Sequence, residues 1–287
     1  MIFGILILVQ QLIASLTHII AKDITFNLPP ILVLFLRSSI AALLFSFWIF
    51  FRKAYKIKIH QNDWLKLILL GLINIPINQF LFFLAIEKTT APNVSLAYAL
   101  TPIFVFIIAI FYLNEKVKTK KLISIIIAIA GTIILLSEKG FKFTYNGILG
   151  DILALTASLS WAFYTIIGKD LTSKYNPIYI TGLTMIIGWL FFLPIFLFSD
   201  IHFVNYNISV KNWLQLMYLG AFTSAVGYAI WYYALTKIEA SKLSVFNNIQ
   251  PALTALLSFL IFSTPISIYF ILGGTLIICG VYLTQKS

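Results

Sequence analysis

Charge is scarce in this chain of 287 residues: Asp, Glu, Lys and Arg together make up 10% of it, and only nine residues are acidic. A soluble domain carries about 25% charged residues to keep its surface solvated, so a water-facing globule is excluded. Cysteine occurs once, as Cys279 inside an apolar run, which rules out an intrachain disulfide and leaves a small packing residue. His18 has no second ligand beside it, so no metal site is expected. Paired acids, a His–Glu zinc motif and a nucleophile beside a base are all missing at useful spacing. That argues against an enzyme and against any cofactor.

Apolar residues fill the space that charge leaves. The chain is 61% hydrophobic and 16% aromatic, with a mean hydropathy of +0.99. It reads as an all-α integral membrane protein. The formal net charge of +11 is not a nucleic-acid footprint, because the basic residues sit in short gaps between apolar runs and form no face interleaved with aromatics. Such a distribution suits Lys and Arg held on the cytoplasmic side of a bilayer. The expected partners are the lipid bilayer and a small molecule, with the protein a monomer or weak homo-oligomer.

A helix needs about 20 apolar residues to cross the hydrocarbon. Ten stretches qualify, at approximately 2–21, 31–51, 64–85, 91–113, 121–137, 148–168, 177–198, 213–235, 240–262 and 266–284. The first is not preceded by a basic segment or followed by a small-residue cleavage site, so it reads as a span and not as a signal peptide. Pro92 falls in a first helical turn, where its missing N–H costs nothing. Pro76, Pro102, Pro194 and Pro251 fall inside helices and are expected to bend them.

Setting residue 64 against residue 213 aligns about 70 residues without a gap. "DWLKLILLG" meets "NWLQLMYLG", Gly71 meets Gly220, Pro102 meets Pro251, and Gly131 meets Gly280. A second register pairs "AKDIT" at 21–25 with "GKDLT" at 168–172. The chain therefore reads as two five-helix repeats, residues 1–137 and 148–287. Five is odd, so the second repeat enters the membrane inverted. With both termini in the cytoplasm, the inner loops hold thirteen Lys and Arg and the outer loops five. The contrast is sharpest where "LNEKVKTKK" at 113–121 faces "FSTPISIYF" at 262–270, with four lysines in the first and no charge in the second. Ser124 and Gly131 in the fifth span, and Gly273 and Gly280 in the tenth, place small residues at heptad spacing. Those two helices are expected to pack together.

The halves, the run "SWAFYTIIGKD" at 160–170, the arginine in "FLRSSIAALL" and the pattern "APNVSLAYALTPIFVFIIAIFYLNE" at 91–115 resemble the drug/metabolite transporter superfamily, in its ten-helix EamA branch. The resemblance covers the whole chain. It departs in the first span, which lacks a counterpart of Trp161, and at Ser263–Thr264, where the family keeps Gly-Glu. It implies secondary transport of small organic solutes, most often export of amino acids or other metabolites across a bacterial inner membrane. Uptake or exchange on the same fold, and a scaffold without transport, are the alternatives.

In inverted-repeat carriers the solute sits near mid-membrane, beside interrupted helices. Pro102 and Pro251 stand at one repeat position, and each frees the carbonyl four residues earlier, at Tyr98 and Asn247. Thr101 and Gln250 continue a polar stripe at helical spacing. Asn74 and Asn78 flank Pro76, Gln11 and His18 share a face of the first span, and Trp161 and Tyr228 are the deep aromatic candidates. Tyr232 and Tyr233 read as interfacial anchors.

Arg37 is the one clear charge inside a span, which costs at least ~2.5 kcal/mol at mid-depth. It lies about 9 Å from the helix end, within snorkelling reach, so a structural role is expected. Glu87 and Asp151, at helix ends, are the candidate proton carriers, with capping the expected task of Asp151. No buried pair of cations awaits a phosphate, so an uncharged, zwitterionic or amphipathic aromatic solute suits the cavity best.

Overall fold

A computed structural model describes residues 2–89, 91–116, 118–138, 140, 147–201, 206–262 and 267–287; the residues at Ser263–Thr264 lie outside it. The described residues are helical, with no strand among them. In lipid the backbone must satisfy itself within each segment, and a helix does so. The helices are α1 (Ile2–Ile24), α2 (Pro30–Phe51), α3 (Gln61–Leu72), α4 (Phe80–Lys88), α5 (Ala91–Ala99), α6 (Thr101–Tyr112) and α7 (Thr119–Ser137) in the first half of the chain. The second half carries α8 (Ile148–Thr172), α9 (Pro177–Leu197), α10 (Val210–Met217), α11 (Tyr228–Leu235), α12 (Ala240–Ser244), α13 (Ile249–Phe262) and α14 (Ile268–Lys286). Among the described residues eight helical runs are long and apolar enough to cross a membrane. The expected spans 213–235 and 240–262 are outside that set. Large apolar side chains such as Phe198, Phe111 and Phe51 face outward, as a lipid solvent permits. The protein is an integral membrane protein.

Local chemistry places the helix starts. Pro30 and Pro177 occupy first-turn positions, and Asn176 Oδ1 accepts from the backbone N–H groups of Ile178 and Tyr179. The interruptions matter more for function. α3 and α4 are joined through a π-helical segment, Ile73–Gln79, which contains Pro76. α10 and α11 are joined through another, Tyr218–Gly227, which contains no proline. Here the backbone of α2 comes close: a methyl group on Gly220 would stand 2.9 Å from the carbonyl oxygen of Arg37. π-turns inside α-helices concentrate at functional sites.

The two expected proline breaks occur upstream of the prolines themselves. Leu100 separates α5 from α6, two residues before Pro102. A 3-10 turn, Val245–Asn248, separates α12 from α13 just before Pro251. A proline cannot accept the ring-side crowding of a continuing helix, so the preceding turn loosens.

α7 and α14, the fifth and tenth expected spans, form the most extensive helix pair. A methyl group on Gly131 would stand 2.7 Å from Gly273 O, and one on Gly280 2.6 Å from Ala128 N. Backbone meets backbone there, so only glycine fits.

At the end of the bundle where α6 meets α7 and α11 meets α12, one lysine of "LNEKVKTKK" departs from the reading of that stretch as loop charge, while Lys116, Lys118 and Lys120 are exposed. Lys121 is 1% exposed. Its Nζ donates to Glu239 Oε2 at 2.6 Å and Ser241 Oγ at 3.0 Å, and lies 3.5 Å from Glu115 Oε2. Glu115 also accepts from the Ala240 N–H at 2.9 Å and from the Ser241 hydroxyl. Nearby, Lys169 Nζ donates to the carbonyls of Leu235 and Ile238, and Lys66 pairs with Asp170 at 2.6 Å. Charges from the two halves of the chain thus lock this end together.

Candidate functional site

Inside the bundle, between α1, α5, α8, the π segments and the 3-10 turn, lies a cavity of about 100 Å³. Its first wall comes from α1, through Gln10, Ile13, Ala14, Thr17 and His18. Of Gln11 and His18, expected on one face, His18 lines the cavity and Gln11 does not. Gln11 is fully buried behind it, and the Ser15 hydroxyl caps Gln11 O and approaches Gln250 O. Gln10 and Thr17 also line the cavity, and nothing in the spacing of the polar residues of α1 separated them from Gln11 and Ser15.

The amides behind the cavity are wired in one direction. His18 Nε2 lies 3.2 Å from Gln250 Oε1, which only accepts, so that ring nitrogen carries the proton. Gln250 Nε2 donates to Gln11 Oε1 at 2.9 Å, and Gln11 Nε2 to Gln10 Oε1 at 2.7 Å. Each bond fixes the orientation of the next, so the wall is rigid. Asn247 lines the cavity from the 3-10 turn, and Pro251 lies on a smaller neighbouring pocket with Ser95, Tyr98 and Thr254.

On the opposite wall, Asn78 Nδ2 donates to Ala157 O at 2.7 Å and to the Tyr98 hydroxyl at 3.1 Å. Its neighbour Gln79 donates to Asn74 Oδ1 at 2.8 Å, so Asn74 acts behind the cavity and not on it. Gln79 Oε1 is buried with no partner at hydrogen-bond geometry. Thr101 also stands back from the cavity, bonded to Ser158 at 2.8 Å, with Pro102 buried beside it.

Aromatic rings close the remaining side. Trp161 stacks on Tyr164 with centroids 5.5 Å apart and meets Tyr228 edge-on at 5.1 Å. The reading of Tyr232 as an interfacial anchor is overturned: it is fully buried, its hydroxyl on Tyr164 O and its ring over Gly168, which leaves room for it. Tyr233 does face outward, with Lys237 over its ring.

Arg37 lines the cavity and is 2% exposed, so it does not snorkel to the membrane edge. Its Nε and Nη2 donate to Ser224 Oγ at 3.1 and 2.7 Å, and its guanidinium lies over the Phe83 ring at 5.5 Å. Ser224 belongs to the proline-free π segment, and sequence reasoning gave it no part. Glu87 is exposed at the end of α4. Asp151, in the first turn of α8, accepts from Thr89 Oγ1 at 2.6 Å and Asn93 Nδ2 at 2.9 Å, a tie between α8 and the start of α5. Neither acid lines the cavity.

A lipid-facing helical bundle that encloses a polar and aromatic cavity beside broken helices has the build of a membrane carrier. Comparison with known proteins gives that build a family. Residues 1–137 and 148–285 match the EamA-like transporter family, and the chain belongs to it. Two uncharacterized transporters of Archaeoglobus fulgidus are similar, one 32% identical over 90% of each chain and one 28% identical over 98% of this chain and 96% of its own. The uncharacterized transporter YyaM of Bacillus subtilis is 29% identical over 84% of this chain and 79% of its own. A crystal structure 17% identical to this chain superposes with a TM-score of 0.81, covering 99% and 96% of the two chains, which shows the fold.

Proposed function

We propose that the protein is a secondary carrier that exports small organic metabolites, amino acids and similar uncharged or zwitterionic solutes, across a bacterial cytoplasmic membrane by alternating access. In this reading ten spans form two inverted five-helix repeats, with both termini in the cytoplasm. The observation that carries it is the cavity itself, walled by both helices that break before a repeat-related proline, Pro102 and Pro251. Two π segments at near-equivalent repeat positions supply Asn78, Gln79, Thr223 and Gly227 to the same cavity. Breaks of this kind let the outer and inner halves of a helix move separately. The lock around Lys121 then closes the cytoplasmic end in the present conformation.

At about 100 Å³ the cavity is smaller than the ~300–1,000 Å³ of pockets for drug-sized ligands. It suits a small metabolite. Proton coupling through Glu87 or Asp151 would act from the helix ends, away from the solute, so transport of the solute itself needs neither. Counterflow in reconstituted vesicles tests the reading. Vesicles preloaded with unlabelled amino acids should accumulate labelled solute transiently and saturably. Flux that is linear in concentration and indifferent to the preload would mean a channel, and no flux for any small metabolite would mean a scaffold.

A further inference from the structure

Arg37 is a buried cation to which the fold gives no anion. Among the described residues no carboxylate stands within ion-pair distance of it, and the residues lining the cavity include no Asp or Glu. Its partners are one hydroxyl, Ser224 Oγ, and the face of Phe83. A guanidinium has five N–H donors in a fixed fork, and a serine oxygen engages two of them. Among the described residues Nη1 makes no hydrogen bond. An intramembrane charge held without a counter-charge is unfavourable unless function requires it.

The remaining polar groups of the cavity, His18 apart, are amides, hydroxyls and the Trp161 indole. Gln79 Oε1, buried and unbonded on the same cavity, can only accept. Trp161 and Tyr228 offer ring faces and edges for an apolar body. An empty cavity therefore presents one positive fork, one free acceptor and an aromatic wall. A single carboxylate matches the fork in shape as well as in charge, since its two oxygens take parallel N–H bonds. A dianionic phosphate would bring a second charge that nothing there neutralises.

We propose that Arg37 is the specificity-determining residue of the carrier: it receives a carboxylate of the transported solute, with Ser224 holding the guanidinium in place and Gln79 Oε1 accepting from an N–H or O–H of the same solute. The proposal rests on the cavity being the transport site, as argued above, and narrows what the cavity takes. Amino acids and simple organic acids share the carboxylate. They differ in whether an ammonium is also tolerated where no carboxylate balances it.

Binding to purified protein, followed by fluorescence of Trp161 and its neighbours, tests this with matched pairs. Phenylacetate is compared with phenylacetamide, and phenylalanine with phenylalaninamide. Each carboxylate should bind about tenfold or more tightly than its amide, as a charge-assisted pair requires. The ratio between phenylacetate and phenylalanine then separates simple acids from amino acids as the source of the carboxylate. In Arg37→Gln the preference for carboxylate should vanish while amide binding stays; in Arg37→Lys it should persist in weakened form. Should Arg37→Gln fail to fold, Ser224→Ala keeps the charge and should lower the preference several-fold. Equal affinity for acid and amide in the wild type, absence of carboxylate binding, or an undiminished preference in Arg37→Gln would overturn the proposal. Saturable counterflow of the neutral amide, phenylacetamide, in the same preparation would show that the carrier reading survives such a failure.

Discussion

Lys121 and Arg37 are both almost wholly buried, 1% and 2% exposed, and their surroundings are opposite. Lys121 meets two carboxylates and a hydroxyl contributed by both halves of the chain. Arg37 meets a hydroxyl and a ring. A buried cation with its anions in place is finished: its bonds hold elements together, and removing it strands the anions. A buried cation without an anion has its electrostatics left open for something that arrives. The first arrangement belongs to a lock and the second to a binding site, and replacing each residue should separate them.

The largest effect on stability is expected at Lys121. In Lys121→Met the Glu115 carboxylate, 9% exposed, loses its cation and remains beside Glu239. Breaking a buried pair costs ~3–5 kcal/mol, and about 3 kcal/mol is expected here because the Glu239 side chain is 45% exposed and stays partly hydrated. Unfolding in mixed micelles reads this directly. Adding Glu239→Gln to the same chain should recover part of the loss, since it removes one stranded charge. A loss below about 0.5 kcal/mol would place Lys121 among surface pairs and erase the contrast.

Arg37→Gln should reverse the pattern. Its stability should stay within about 1 kcal/mol of the wild type or rise, because an unbalanced intramembrane charge is removed. Transport should fall at least tenfold. A stability loss as large as that of Lys121→Met would make Arg37 a structural residue after all.

The difference between these two cations was not legible in the chain. Lys121 sits in a lysine cluster whose overall count speaks to membrane orientation, and composition cannot tell which of four lysines turns inward to meet Glu239, 118 positions away. Arg37 stood out because charge inside an apolar run is costly, yet snorkelling was an equally good account until its helix was seen against Ser224. The helices themselves were legible, since apolar length and self-satisfied backbone leave few choices. Two breaks were legible for the same kind of reason, through Pro102 and Pro251. The π segment Tyr218–Gly227 was not, because it contains no proline to mark it. On α1 the expected face was half right, since His18 lines the cavity and Gln11 is bonded to Gln250 behind it. A polar stripe facing a cavity and one facing a neighbouring helix look alike in sequence, and Gln11 with Ser15 forms the second kind.

Acidity probes the lock more gently than mutation. Burial pushes the Glu239 carboxyl up, while the hydrogen bond from Lys121 and that lysine's charge pull it down, and the pull prevails. A lowered folded-state value means that the stability from this pair is present above the ordinary value of 4.5 and is lost as pH falls through the folded value. The wild type should therefore lose stability more steeply than Glu239→Gln below about pH 4.5, by on the order of 0.5 kcal/mol after solvent screening. Parallel curves would show that Glu239 adds nothing to the hold on Lys121.

A milder change than removing the charge sharpens the other side. Ser224→Ala removes the one hydroxyl that orients the guanidinium, and it changes neither the charge in the cavity nor the close packing of Gly220 on α2. A hydrogen bond to a charged group contributes ~1.5–3 kcal/mol, and stability should fall by about the low end of that range because the guanidinium can turn toward the cavity. Carboxylate binding should weaken several-fold, short of the loss expected from Arg37→Gln, because the charge remains and only its aim is relaxed. If Ser224→Ala instead abolishes binding as completely as Arg37→Gln, then orientation and not charge is what a carboxylate requires, and a buried cation without an anion is only half of what distinguishes this site from the lock.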